Sequence, residues 1–254
     1  MRLKALVALV TSLFFAGALA AQTSVPSFAP PPLDPENTLL LDLSSGGRVA
    51  IQLRPDAAPA HVERMKTLTR RGFYDGLAFH RVIEGFMAQA GDPNGDGTGG
   101  SDLPDLQAEF NPLPHVRGAV AAARPGAPEE ADEETRKRAE NGANSQFYIM
   151  LAARLAMDGQ YTVFGRVVSG MNFVDAIARG EPPAQPTRIL QASIAADNKA
   201  PPSAAAAAAA EVGAAASAPP ASFLAPAPRP AGPAMPPPPS IRLPDPPAPR
   251  ARKQ

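Results

Sequence analysis

From about Glu36 to Asp197 the chain is a succession of short apolar runs stopped by Gly, Asn and Asp, at intervals that suit a many-stranded β domain. Residues 38–43 and 48–53 alternate apolar and polar positions on either side of Ser44-Ser45-Gly46-Gly47, which predicts a hairpin. Over 59–71 the period lengthens. Val62, Met65 and Leu68, with His61 and Thr69 at the margins, share one helical face; proline stands near the first turn and Gly72 just past the end, the pattern of an amphipathic helix packed on a core. Strand-like runs return at 77–83, 86–90, 116–123, 146–151 and 162–168, followed by a second helix over 170–178 closed by Gly180 and a last strand at 187–195. The Gly- and Asp-rich stretch 91–105 reads as a loop, and the highly charged 125–143 as a surface excursion with a short helix. About eight strands and two helices predict a mainly β fold, a closed eight-stranded antiparallel barrel capped by two α-helices, because closure removes exposed strand edges.

Both ends depart from this pattern. Residues 1–20 place Arg2 and Lys4 before a run rich in Leu, Val, Ala and Phe that ends in Ala18-Leu19-Ala20, which reads as a secretory signal cleaved after Ala20 or Ala21. Thr11-Ser12 interrupts the run, which is short of the roughly 20 apolar residues that span a bilayer. The expectation is therefore a periplasmic or secreted protein without stable membrane insertion. Residues 21–35 are a polar, proline-rich lead-in, 36–198 the folded domain and 199–254 a tail. The chain has 32 prolines in 254 residues, about 13% against a globular average of roughly 5%, and 16 of them fall in that tail beside 19 alanines. With Phe223 as its one aromatic residue, the tail cannot bury enough apolar surface to offset its ordering entropy, so it reads as disordered.

Charge divides the same way. The formal net charge of zero combines +2 at the start and +4 in the tail with about −6 in the middle, which argues against nucleic acid as the domain's partner. The chain has no cysteine, which excludes disulfides, thiolate chemistry and lipid attachment at a cysteine. Asp92, Asn94, Asp96 and Gly97 match the start of a calcium-binding EF-hand loop, but Leu103 stands where that loop requires a bidentate Glu, so no metal is expected.

Chemistry concentrates in FHRVIEGFMAQAGD, residues 79–92. Alternation places Phe79, Arg81 and Ile83 on one strand face and Met87 and Gln89 on one face of the next, a polar pair beside an apolar patch. Taken alone, the stretch leaves open a surface arginine with ordinary core neighbours. His80 is turned to the other face, where a structural role is expected.

Taken with NSQFYIM at 144–150 and MDGQYTVFGRV at 157–167, together with GTGG at 97–100, PDLQAEFN and PHVRGAVAAAR, the chain resembles the cyclophilin-type peptidyl-prolyl cis–trans isomerases, in particular their exported bacterial branch. The resemblance runs from about residue 38 to 195. It implies a catalytic arginine at Arg81, a glutamine at Gln89 that orients the arginine or binds substrate backbone, and a proline pocket formed by Phe86, Met87, Tyr148 and Met157. It further implies groove positions at Ala123 and Gln146 and a pocket edge at Tyr161. Ala156 stands where many eukaryotic members carry tryptophan, a replacement that bears on cyclosporin sensitivity rather than on catalysis.

The reaction suits these residues. An X–Pro amide resists rotation by about 18–20 kcal/mol because the nitrogen lone pair is delocalised, and twisting localises that pair as a hydrogen-bond acceptor. A guanidinium aimed there stabilises the twisted state more than the ground state. No covalent bond breaks, so neither nucleophile, metal nor cofactor is required. The expected partners are proline-containing unfolded or flexible polypeptides, and the expected state is a monomer. A non-catalytic proline-peptide binder or holdase on the same fold is the alternative. The repeated Ala-Pro units of the tail, tethered to such a domain, also predict weak self-occupancy of the groove.

Overall fold

The computed structural model describes residues 33–203. The signal segment, and nearly all of the lead-in and of the tail, lie outside the described residues, as does the expected self-occupancy.

Eight strands form one antiparallel sheet: β1 (Thr38–Leu43), β2 (Gly47–Leu53), β3 (Arg81–Ile83), β4 (Met87–Ala90), β5 (Ala119–Ala122), β6 (Phe147–Met150), β7 (Val163–Ser169) and β8 (Ile189–Ile194). Their order across the sheet is β3-β4-β6-β5-β7-β2-β1-β8. The first two form the expected hairpin, with Leu43 opposite Gly47 and the Gly46 amide closing the turn on the Leu43 carbonyl at 3.0 Å. Register shifts in the β1–β8, β2–β7 and β5–β7 pairs mark the bulges at which such a sheet bends.

The sheet curls, but the expected closed barrel is not reached. The end strands β3 and β8 share no ladder. The seam is bridged instead by the segment before each: Gly76 donates to the Ile189 carbonyl, Ile189 to Leu77 and Phe79 to Thr187 at 2.7 to 2.9 Å. The physical reason lies in residues 78–82. Phe79 and Val82 are both buried in the same core, and two inward residues separated by two cannot belong to one period-two strand. The strand therefore begins only at Arg81, which also corrects the expectation that Phe79 shares a face with Arg81 and Ile83.

Elsewhere alternation divides the sheet cleanly. Leu39, Leu41 and Leu43 of β1, Val49, Ile51 and Leu53 of β2, Val120 and Ala122 of β5, and Phe147 and Ile149 of β6 fill the interior. Their neighbours Ala119, Ala121, Tyr148 and Met150 point the other way and, with Phe86, Met87, Ala123, Tyr161 and Val163, build a second apolar cluster on the outer face.

Two α-helices pack on the core. In α1 (Pro59–Arg70) the face predicted from the sequence is buried, with Val62, Met65 and Leu68 in the interior cluster. A further helix, α2 (Glu133–Glu140), is capped by Asp132, whose carboxylate accepts the Thr135 amide at 2.8 Å, and buries only Ala139, so the charged excursion is a solvated face. The last, α3 (Met171–Asp175), is shorter than 170–178 but still anchors Val174 and, just beyond it, Ile177.

Candidate active site

The outer cluster owes its position to strand register. Across β3, β4, β6, β5 and β7 the residues Arg81, Gln89, Tyr148, Ala121 and Val163 stand directly opposite one another in sequence, one row of side chains on one face. The neighbouring row brings Ile83, Met87 and Met150 together. Neighbouring strands lie about 4.8 Å apart, so the Arg81 and Tyr148 backbones are about 10 Å apart with Gln89 between them. A polar guanidinium thus borders an apolar patch because two adjacent rows of a pleated sheet carry different chemistry.

The patch is aromatic and methionine-lined. Phe86, Met87, Ala123, Tyr148 and Tyr161 are all buried. The Tyr148 and Tyr161 rings meet edge to face with centroids 6.0 Å apart, and Met157, half-buried in the 3-10 turn Leu155–Met157, packs at the margin with Ile83 and Leu113. Arg124 lies over the Tyr161 ring at 4.7 Å, and Arg154 over Phe86 at 5.9 Å. Burial pushes the Tyr161 phenol above its ordinary pKa, opposed by the charges of Arg124 and Arg81.

Gln89 does not bond Arg81. Its Nε2 donates to Gln146 Oε1 at 2.8 Å, and Gln146 Nε2 donates in turn to the carbonyls of Gly99 at 2.8 Å and Gly97 at 3.1 Å. Together they tie the sheet to loop 91–105. That loop is folded around Asp92, which is 1% exposed and accepts the backbone amides of Asn94, Asp96 and Gly97. The motif noted as resembling a calcium loop is a carboxylate-nucleated turn.

Arg81 is instead bonded through Nε to Glu181 Oε2 at 2.7 Å. Glu181 lies 100 residues from Arg81, and no local pattern in the sequence marks it. His115 and Asp158 likewise carry no site signal in the sequence: His115 is fully buried beneath Tyr148, its ring 6.2 Å from the Tyr148 ring. His80, 5% exposed, has neither ring nitrogen in hydrogen-bond geometry, and burial lowers its pKa against the opposing pull of Asp92.

Comparison with known proteins agrees with this arrangement. Residues 38–194 match the family model of the cyclophilin type peptidyl-prolyl cis-trans isomerase/CLD. A probable peptidyl-prolyl cis-trans isomerase of Brucella suis is 48% identical over 182 residues, covering 65% of this chain and 86% of the relative. Peptidyl-prolyl cis-trans isomerase B of Bacillus subtilis is 37% identical over 140 residues, 55% of this chain and 89% of the relative. Among solved structures, cyclophilin AquaCyp293 from Hirschia baltica superposes with a TM-score of 0.56 at 26% identity, over 66% of this chain and 77% of that one. A Cryptosporidium parvum cyclophilin solved in the presence of the dipeptide Ala-Pro superposes with a TM-score of 0.52 at 22% identity, over 62% of this chain and 98% of that one, a likeness of fold. The chain belongs to the cyclophilin family, and its activity is peptidyl-prolyl cis–trans isomerisation.

Proposed function

We propose that this isomerase acts on exported proteins, with Arg81 as the catalytic group and the outer cluster as the proline pocket. The observation that carries the catalytic assignment is the row Arg81–Gln89–Tyr148, which sets one guanidinium beside an apolar, aromatic-walled surface. The pyrrolidine ring of the substrate enters the patch between Phe86, Met87, Tyr148 and Met157, with Ala123 leaving room for it and Tyr161 at the edge. Its burial fixes the X–Pro bond near Arg81. As the amide twists, the proline nitrogen gains a localised lone pair, and the guanidinium donates a hydrogen bond to it that the planar ground state does not accept. Gln89 and Gln146 serve the peptide backbone by holding the loop at Gly97–Gly99 against the sheet.

The exported role rests on the signal-like residues 1–20. Its test is the mature amino terminus: chain recovered from the bacterial envelope begins at Ala21 or Gln22, whereas an intact Met1 in the cytoplasmic fraction contradicts it. Among the described residues no helix is long and apolar enough to cross a membrane. The exposed large apolar side chains among them, Leu33, Phe110, Leu155 and Val168, are too few for the apolar face an obligate dimer buries, which supports a monomer.

A further inference from the structure

Arg81 stands on a strand of three residues at the end of the sheet, its side chain largely buried but bonded to no residue of its own strand or of β4. The residue directly opposite, Gln89, is engaged with Gln146. What holds the guanidinium comes from the far end of the chain. Residues 179–181 run antiparallel along the free edge of β3: the Val82 amide donates to the Gly180 carbonyl at 2.8 Å, and the Gly180 amide to the Val82 carbonyl at 3.0 Å. Glycine is required at 180, because φ is +144° and a Cβ there would stand 2.6 Å from Pro183 Cα. This rung sets two ion pairs in opposite order across the edge. Arg81 of the strand meets Glu181 of the rung at 2.7 Å, and Arg179 of the rung meets Glu84, just beyond β3, at 2.6 Å.

Resting on the reading of Arg81 as the catalytic group, we propose that Glu181 is a positioning residue for the isomerisation. Its carboxylate takes the Nε–H and so fixes the plane of the guanidinium. Neither Nη group has a hydrogen-bond partner; Nη1 is buried, which leaves Nη2 as the donor open to the substrate. Arginine carries much rotamer freedom, and a guanidinium ordered before the substrate arrives needs no reorganisation as the amide twists. Glu181 is half exposed, and ion pairs of that kind contribute little to folding stability, so its effect falls on turnover rather than on the fold.

The test uses the full chain, with kcat and KM measured on an Ala-Pro peptide for wild type, Glu181→Ala, Glu181→Gln, Glu84→Ala, Arg81→Ala and the Arg81→Ala/Glu181→Ala double variant. Glu181→Ala lowers kcat about ten-fold with KM within about two-fold, and the isosteric Glu181→Gln, which keeps an acceptor but loses the charge, falls between it and wild type. Glu84→Ala removes the second ion pair of the same rung and stays at the wild-type rate. In the Arg81→Ala background, Glu181→Ala has no further effect. A wild-type kcat in Glu181→Ala beside a crippled Arg81→Ala overturns the positioning role alone. So does an equal loss in Glu84→Ala, which would assign the effect to the rung, or a full further loss in the double variant. An Arg81→Ala enzyme as fast as wild type overturns the reading on which the proposal rests.

Discussion

The Tyr148 hydroxyl donates a hydrogen bond of 3.1 Å to Nε2 of His115, whose Nδ1 donates to Asp158 Oδ1 at 2.9 Å. The tautomer follows from the chemistry of the three groups. Asp158, held below the ordinary carboxylate range by its bonds to His115 against its own desolvation, only accepts, so Nδ1 carries the proton. Burial lowers the His115 pKa, leaving Nε2 an acceptor, and burial keeps the Tyr148 phenol neutral and able to donate. The aromatic wall of the proposed proline pocket is thus pinned from behind by a polar chain that a phenylalanine at 148 would not make.

Tyr148→Phe therefore keeps the ring and orphans Nε2 of a fully buried histidine. The expected outcome is a loss of about 1–3 kcal/mol in unfolding free energy by urea titration, the desolvation penalty of one buried acceptor. Because the wall itself remains, kcat/KM stays within a few-fold of wild type. An unchanged urea midpoint would show that the bond does not contribute.

Acid lability follows from the three histidines. Burial is the leading cause of a lowered pKa at His61, His80 and His115 alike, from an ordinary value of 6.5. Below pH 6.5 the unfolded chain binds protons that the folded chain refuses, so stability from this source is full above that pH and is lost as pH falls toward the depressed folded values. The slope reaches about 1.4 kcal/mol per pH unit for each histidine involved. Glu109 and Asp158, both held low, act in the acid range below. Urea midpoints at pH 7.5 and 5.5 check this: the lower pH gives the lower midpoint, and replacing His80 by Gln flattens the difference.

Gln146 links sheet to loop, and its removal separates the two. Gln146→Ala is expected to raise KM about two- to ten-fold, the worth of one or two neutral hydrogen bonds. Amide exchange at Gly97–Gly100 should quicken while that of Ile149 stays protected. A variant with faster exchange throughout β6 would instead indicate a general loss of stability.

Much of this was legible in the sequence, and the limits have physical causes. Alternation in β1, β2, β5 and β6 predicts which residues face inward, because a half-buried strand has a period of two, and the apolar face of α1 follows from its period of 3.6. Phe79 broke the rule where the chain is not yet a strand. The site is harder to read. Which residue stands beside Arg81 depends on strand register, and sequence spacing places Gln89 there correctly while saying nothing of where its amide points. Glu181 is beyond any local signal, since only the folding of 179–181 onto β3 brings it to Arg81. Closure failed as an expectation because Phe79 and Val82 both turn inward and delay β3 to Arg81, so the seam falls to backbone contacts of residues 76–79 with 187–189.

The central claim is that one guanidinium supplies the catalysis. Cis-to-trans rates of an Ala-Pro peptide measured with wild type and Arg81→Ala, with the fold of each verified by circular dichroism, test it most directly. The account predicts that kcat/KM falls about 10²–10³-fold in the variant while proline peptides still bind, as expected when a transition-state donor is removed. An Arg81→Ala enzyme within three-fold of wild type, a margin of about 0.7 kcal/mol in the barrier, would contradict it.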